Sequence, residues 1–165
     1  GVYKVVVQGA GGGGGGSVFG CQTSGGDGGW GQYKYETFIV VNDTAFTYTV
    51  GAGGRGGGKV GACHDAGDGD KGGSSSFSIP ELVSIVSEGG NGAQGSYTKS
   101  AFMHCTCHNG DNATDLDYVE GKNSSDCSEN GSKDGTGDIR RGGCGDSGYE
   151  NGWGGGPGDV SIYRF

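Results

Sequence analysis

The sequence predicts an all-β protein in which short strands frame a bundle of polyglycine II-type helices and disulfides staple the structure together. Three observations support this fold class. Glycine supplies 43 of the 165 residues and forms tracts at 9–16, 51–58 and 154–156, which only Ala10, Ala52 and Arg55 interrupt. Runs of β-branched and aromatic residues, which are typical of strands, separate the tracts, and no helical periodicity of useful length is present. The chain also has six cysteines, enough for three disulfides.

The glycine tracts need a backbone structure that compensates for the conformational freedom lost on folding, which is larger for glycine than for any other residue. Collagen is excluded because the chain has only two prolines and no Gly-X-Y period. Extended left-handed helices with about three residues per turn can pack side by side when they lack side chains. Their N–H groups then donate laterally to neighbouring carbonyls, which pairs the buried backbone. We therefore expect a small lattice of polyglycine helices held by β-structure.

The N-terminal part predicts three strands. Val2–Gln8 (VYKVVVQ) is β-branched and aromatic. Residues 30–41 (WGQYKYETFIVV) alternate between two faces, and Asn42-Asp43 supplies a turn. Residues 45–50 (AFTYTV) return from that turn, so we expect the second and third runs to form a β-hairpin whose tip carries a glycosylation sequon.

The remaining chain predicts further strands and one segment of different character. Residues 74–79 and Val83–Ser87 are typical of short strands, and residues 159–165 (DVSIYRF) form a closing strand that can pair with the opening one. Residues 101–151 hold four of the six cysteines and most of the acidic residues. We interpret 101–151 as a Cys-rich, acidic, glycosylated loop insertion within a single domain that spans 1–165.

Composition and modification motifs indicate a secreted protein. The formal net charge of −8 argues against a nucleic-acid partner, because nothing in the chain attracts phosphate. No stretch approaches the ~18 apolar residues of a membrane span. Cysteine pairs suit an oxidising compartment, and Asn-X-Ser/Thr motifs matter only in a secretory one. Four such motifs are present, which predicts N-glycans and an extracellular location; they lie at Asn42, Asn112, Asn123 and Asn130.

The order of these features resembles a known pattern. A strand running into GAGGGGGG, then a Trp- and Tyr-bearing strand, then FTYTVGAGGRGGG and GGSSSF, resembles the glycine-rich domain of bacteriophage tail-fibre and adhesin proteins. It is similar also to the extracellular glycine-rich domain of the anaplastic lymphoma kinase and leukocyte tyrosine kinase receptors. The likeness covers residues 2–96 and 154–165. It implies a polyglycine-helix bundle attached to a small β-sandwich or jelly-roll-like set of strands, used for recognition or adhesion without catalysis.

The cysteines favour disulfides over a metal centre. The run HCTCH at 104–108 offers zinc ligands, but its Cys-x-Cys spacing is tighter than structural zinc sites prefer, and an oxidising compartment converts such thiols to disulfides. The spacing leaves all fifteen possible connectivities open. The predicted disulfide residues are Cys21, Cys63, Cys105, Cys107, Cys127 and Cys144.

Two acidic clusters offer oxygen ligands for calcium, one at Asp65, Asp68 and Asp70 and the other within 111–117. Neither is a complete EF-hand loop, and a solvated acidic loop is the alternative interpretation. We predict the first cluster as a candidate calcium site and expect no other cofactor.

No nucleophile stands in a recognisable catalytic setting. Residues 145–148 (GDSG) match only a fragment of a serine-protease motif, and no glycine tract has the Lys-Ser/Thr of a phosphate-binding loop. We therefore expect no enzymatic activity. Aromatic residues beside the glycine tracts either bind a partner or pack over bare backbone, and burial energy favours packing. They are Phe19, Trp30, Tyr149 and Trp153.

These features favour a secreted, N-glycosylated structural protein that self-associates into an extracellular filament, sheath or matrix. A rigid glycine lattice suits repeated contacts, and strand addition through either terminal strand is the simplest polymerising contact. The alternative is an adhesin or recognition module that binds a glycan or a peptide. Ice binding is a third possibility, but the interrupted tracts lack the regular face it requires. The residues predicted to carry assembly are Val2, Val5, Val7, Ile162 and Phe165.

Overall fold

The fold is that of a computed structural model, which describes residues 1–101, 104–114, 127, 140–146 and 149–165. Within those ranges the chain is all-β, and no helix is present that is long and apolar enough to cross a membrane. The strands pair antiparallel in small open sheets. In chain order they are β1 (Val2–Gln8), β2 (Tyr33–Ile39), β3 (Thr47–Thr49), β4 (Ser75–Ile79), β5 (Val83–Ser87), β6 (Tyr97–Ala101), β7 (His104–His108) and β8 (Asp159–Arg164).

The first sheet has the strand order β2-β1-β8, so the N-terminal strand is its centre. Val2 lies opposite Ile39 of β2, and Tyr3 lies opposite Arg164 of β8. The predicted pairing of the closing strand with the opening strand is therefore confirmed. Val5 and Val7 share the inner face of β1 and are completely buried, as the alternation of a half-buried strand requires.

The second sheet has the order β3-β4-β5. Strands β4 and β5 alternate strictly between buried and exposed positions. A tight turn joins them: the Leu82 N–H donates to the Ile79 carbonyl at 3.1 Å, and Glu81 adopts a left-handed backbone with φ of 63°. The turn sets the register that places Phe77, Ile79, Val83 and Ile85 on one buried face, whereas Val86 lies on the exposed face.

The two three-stranded sheets contribute to one apolar core. β1 and β2 supply inward-facing side chains, and β4 and β5 supply the opposing ones. Phe38 and Phe77 lie with ring centroids 5.9 Å apart, which joins the two sets. The core is small, in keeping with an apolar content of 31%, and consists of Val5, Val7, Phe38, Phe77, Ile79, Val83 and Ile85.

The predicted hairpin between residues 30–41 and 45–50 is wrong. β2 pairs with β1, whereas β3 pairs with β4, where Tyr48 lies opposite Phe77. Alternation of apolar residues identifies the two faces of a strand but not the strand with which it pairs. The turn residues at 42–43 therefore do not establish that the flanking strands pair with each other. Packing decides the outcome, since Phe46 reaches Phe77 with a ring-centroid distance of 5.2 Å.

The described part of 101–151 is built into the rest of the molecule. β7 pairs with β6, and Tyr97 stacks on His108 with ring centroids 5.0 Å apart. Residues 110–113 and 140–146 hydrogen-bond to glycine segments. The rest of the predicted insertion lies outside the described residues.

Candidate functional site: a glycine array and an apolar cleft

Residues 9–17 lie at the centre of an array of extended segments. Their N–H groups donate in rotation to segments 26–32, 67–73 and 150–156, at 2.9–3.0 Å. Every third residue therefore returns to the same neighbour. The bonds to the first neighbour run from Gly9 to Gln32, from Gly12 to Gly29 and from Gly15 to Gly26.

The carbonyl groups of the central segment follow the same rotation. They accept from segments 54–60, 90–96 and 143–146. Along residues 9–17, the residue numbers in the three segments that accept from the centre fall, whereas those in the three segments that donate to it rise. The centre thus has three antiparallel and three parallel neighbours, and its backbone polar groups are paired without any side chain.

The six neighbours also bond to one another and close a ring. Each adjacent pair is antiparallel and is bonded at every third residue; Gly28, for example, donates to Gly143 and Gly152 donates to Gly57. A further segment, 110–113, lies outside the ring and donates to Ser24 and Asp27. The order around the ring is 25–32, 140–146, 150–158, 51–58, 66–73 and 88–96, which closes on 25–32.

Close approach of neighbouring backbones explains why these segments are glycine. A Cβ added to Gly14 would lie against the carbonyl of Cys144, well under the 3.0 Å that real Cβ atoms respect. The same clash with backbone arises at each of residues 11–16. Gly58, by contrast, has nothing within 4 Å of its added Cβ. Long side chains occur at exposed positions such as Arg55, whereas the buried side chains of the array include small ones such as Ala10 and Ala93.

Side-chain oxygens complete the array where backbone carbonyls are absent. Asn109 Oδ1 accepts from the Ser24 N–H at 3.0 Å, and Asn112 Oδ1 accepts from the Asp27 N–H at 2.8 Å. Asp27 Oδ1 in turn accepts from the Gly145 N–H at 2.9 Å. The spacing of three between Asn109 and Asn112 matches the spacing of the backbone bonds. This period of three is a sequence signal that could have identified the capping role of these residues.

The same role applies to two of the predicted calcium ligands. Asp65 Oδ1 accepts from the Thr98 N–H and Asp68 Oδ1 from the Gly95 N–H, both at 2.9 Å. Calcium binding by these residues and Asp70 stays a prediction. Among the described residues, the ligand-type side chains that cluster within 4.8 Å are Asp27, Cys127 and Cys144, and those two cysteines form a disulfide.

All six cysteines form disulfides, and the pairs tie β7 to the array. Cys107 is bonded to Cys21 and Cys105 to Cys63, so alternate residues of one strand reach two separate loops. The third pair is Cys127–Cys144. Both cysteines of the HCTCH motif therefore form disulfides, as predicted in preference to zinc binding.

An apolar cleft of about 450 Å³ opens at the end of the two sheets. Its floor contains Phe38, Phe77 and Ile79, all buried, so the core continues to the bottom of the cleft. Its rim contains exposed residues from the loop after β2 and from β8. These are Val41, Asn42, Asp43, Phe46 and Arg164.

The predicted assembly residues are divided between core and surface. Val5 and Val7 belong to the core, and β1 has no free edge because it pairs on both sides. Ile162 and Phe165 are 41% and 76% exposed, and β8 is an edge strand. Val2 is 39% exposed and lies in β1, beside the edge strand β8. Of the two terminal strands, β8 is therefore the one whose outer edge has no partner strand among the residues that the structure describes.

The aromatic residues beside the glycine tracts separate into two groups. Trp30 is buried, and the guanidinium groups of Arg140 and Arg141 lie 5.0 and 5.1 Å from its ring. Phe19 and Tyr149 are exposed and contact each other edge-to-face at 5.2 Å. Trp153 is half-buried. Packing explains Trp30, and the two arginines that cover it were missed because no motif marks them.

The predicted glycosylation residues that the structure describes are both exposed: Asn42 on the cleft rim and Asn112 on the outer segment of the array. Asn123 and Asn130 lie outside the described residues. Glycan occupancy stays a prediction at all four.

The chain was compared with known protein families and with curated proteins. The profile of the glycine-rich domain family matches residues 2–163. None of the curated proteins matches the chain. Because the match covers nearly the whole length, the chain belongs to the glycine-rich domain family.

Proposed function

We propose that this chain is a secreted, N-glycosylated structural subunit of an extracellular filament, sheath or matrix, without enzymatic activity. The observation that carries the proposal is the closed ring of six extended segments around a seventh, cross-bonded through the backbone. Such a block resists deformation because each segment is held from several sides. Three disulfides add covalent ties and suit an oxidising compartment.

We infer that the segments of the array are polyglycine II-type helices and that the two three-stranded sheets form a small sandwich. The period of three in the hydrogen bonds is what supports the first inference, since such helices have about three residues per turn. The apolar core shared by both sheets supports the second. A relation to tail-fibre, adhesin or receptor glycine-rich domains would follow from the same architecture.

The free edge of β8 is the proposed assembly contact. The Phe165 N–H donates to the Val2 carbonyl at 2.9 Å, so alternation along an antiparallel pair directs the backbone groups of Val160, Ile162 and Arg164 away from β1. An exposed strand edge is a template for pairing with another chain. Ile162 and Phe165 add exposed apolar surface beside it.

Electron microscopy of native material tests the structural role. Filaments or sheets with a regular subunit repeat support the proposal, whereas dispersed particles at all concentrations contradict it. The contact is tested with Ile162→Pro, which removes an outward N–H and so should abolish assembly while the far-UV circular dichroism spectrum is retained. Deleting residues 1–8 would not test assembly, because it removes the central strand of a sheet.

Ser161→Pro is the matched control for the edge contact. The Ser161 N–H points towards β1, so this change should lower thermal stability rather than act on assembly alone. Filaments that form equally well with Ile162→Pro would contradict the β8 contact.

The cleft favours a recognition module as the second candidate. Its volume and its mix of apolar floor and polar rim are typical of a ligand site. A monodisperse chain that binds a peptide or an oligosaccharide in a screen, with binding lost in Phe46→Ala, would support this candidate over the filament subunit.

A further inference from the structure

We propose that the apolar cleft at the end of the two sheets is the seat of an N-glycan attached to Asn42. This inference rests on the secretion and glycosylation in the proposed function, and it assigns the cleft an occupant from the chain itself. The occupant is the first sugar of the glycan, an N-acetylhexosamine, whose ring has an apolar face and whose acetamido group ends in a methyl.

The point of attachment identifies the occupant. Asn42, Asp43 and Thr44 all line the cleft, and all three are exposed. Their backbone is shaped by a local bond, since Thr44 Oγ1 donates to the Asn42 carbonyl at 2.9 Å. A sugar linked to Asn42 is held at the rim at a high effective concentration, so it needs little intrinsic affinity to enter.

The lining matches a carbohydrate better than it matches a purely apolar guest. A row of rings crosses the cleft from one sheet to the other: Tyr3–Phe38 centroids are 5.8 Å apart, and Phe46–Phe77 centroids are 5.2 Å apart. Of these rings Phe46 is exposed and Tyr3 is half-buried, so these two can stack on the apolar face of a sugar. The Asp43 carboxylate and the Arg164 guanidinium at the rim provide an acceptor and donors for its hydroxyl groups.

Burial of exposed apolar side chains gives a physical reason for the sugar to lie in the cleft. Phe46 is 46% exposed and Val41 is 86% exposed, and both border a floor that is part of the core. Exposed apolar side chains beside a cleft offer a contact surface to a bound group. A sugar over the cleft would cover these side chains without a second protein.

The test uses the full chain secreted from eukaryotic cells as wild type, Asn42→Gln and Thr114→Ala. Glycopeptide mass spectrometry measures occupancy, and endoglycosidase release is timed on native and on reduced, denatured protein. We expect Asn42 to be occupied and its glycan to be released several-fold more slowly from the native chain than from the denatured one. An unoccupied Asn42, or equal release rates, overturns the proposal.

A fluorescent probe of apolar surface, anilinonaphthalene sulfonate, provides the second readout. Asn42→Gln should raise its fluorescence several-fold. Thr114→Ala removes the sequon at Asn112 but keeps the Asn112 side chain that accepts from the Asp27 N–H, so this variant should leave the fluorescence unchanged. Thr44→Ser keeps the sequon and should behave as wild type. Phe46→Ala keeps the glycan but should speed its native release. Unchanged fluorescence in Asn42→Gln overturns the proposal. If Asn42→Gln fails to fold, glycan removal from the folded wild-type chain takes its place.

Microscopy of the same samples separates this inference from the proposed function. Filaments with an unoccupied Asn42 overturn the glycan seat and leave the structural role standing. Dispersed particles with a protected Asn42 glycan overturn the structural role and leave the glycan seat standing.

Discussion

At the scale of single residues, the array depends on the absence of a methyl group. Gly14 is buried, and its added Cβ would collide with the Cys144 carbonyl, a backbone atom that cannot turn aside. We expect Gly14→Ala to lower the free energy of unfolding by about 3 kcal/mol or more, the upper range for overpacking a dense interior. Chemical denaturation of the purified variant measures the change.

Gly58→Ala is the matched control for that prediction. Its Cβ meets nothing within 4 Å, although its carbonyl accepts the Gly67 N–H at 2.8 Å as part of the array. The change should be within about 0.5 kcal/mol of wild type. Equal destabilisation by the two substitutions would show that glycine is needed for backbone freedom and not for close approach.

At the scale of elements, the disulfides differ in the length of chain that they close, and the longest loop is closed by a pair that anchors β7. Cys21–Cys107 spans a sequence separation of 86, whereas Cys127–Cys144 spans 17. Because the loop entropy of the unfolded chain rises with its length, replacing both cysteines of the first pair by serine should cost roughly 4–5 kcal/mol, against about 3 kcal/mol for the second. Guanidinium denaturation of the two double variants compares them, and a reversed order would contradict the entropic explanation.

The elements also show what the sequence can predict. Composition and alternation located β1, β2, β5 and β8, because those signals depend on local backbone preference and on one buried face. The partner of β3 was not predictable in this way, since pairing depends on which apolar faces meet in space. The cleft followed from the same long-range pairing: its floor joins Phe38 of the first sheet to Phe77 of the second, which only the fold brings together.

The candidate site was predictable only where a residue type fixes its own chemistry. Residue type and sequence context predict that the cysteines form disulfides, although not which cysteines pair, and that Asn42 is exposed. The capping oxygens of Asp68 and Asn112 do not, because an acidic or amide side chain in a loop is equally compatible with solvent, a cation or a backbone N–H. Their role depends on the position of another segment, which the sequence leaves open.

At the scale of the whole molecule, the closed ring predicts cooperative unfolding. No segment of the ring can leave without breaking bonds to both ring neighbours and to residues 9–17. Amides of the central segment should therefore exchange with deuterium only through an opening whose free energy is close to that of global unfolding. Segment 110–113, outside the ring, should exchange through smaller openings. Native-state hydrogen exchange across a denaturant series measures both, and equal protection of the two segments would contradict a closed, cooperative array.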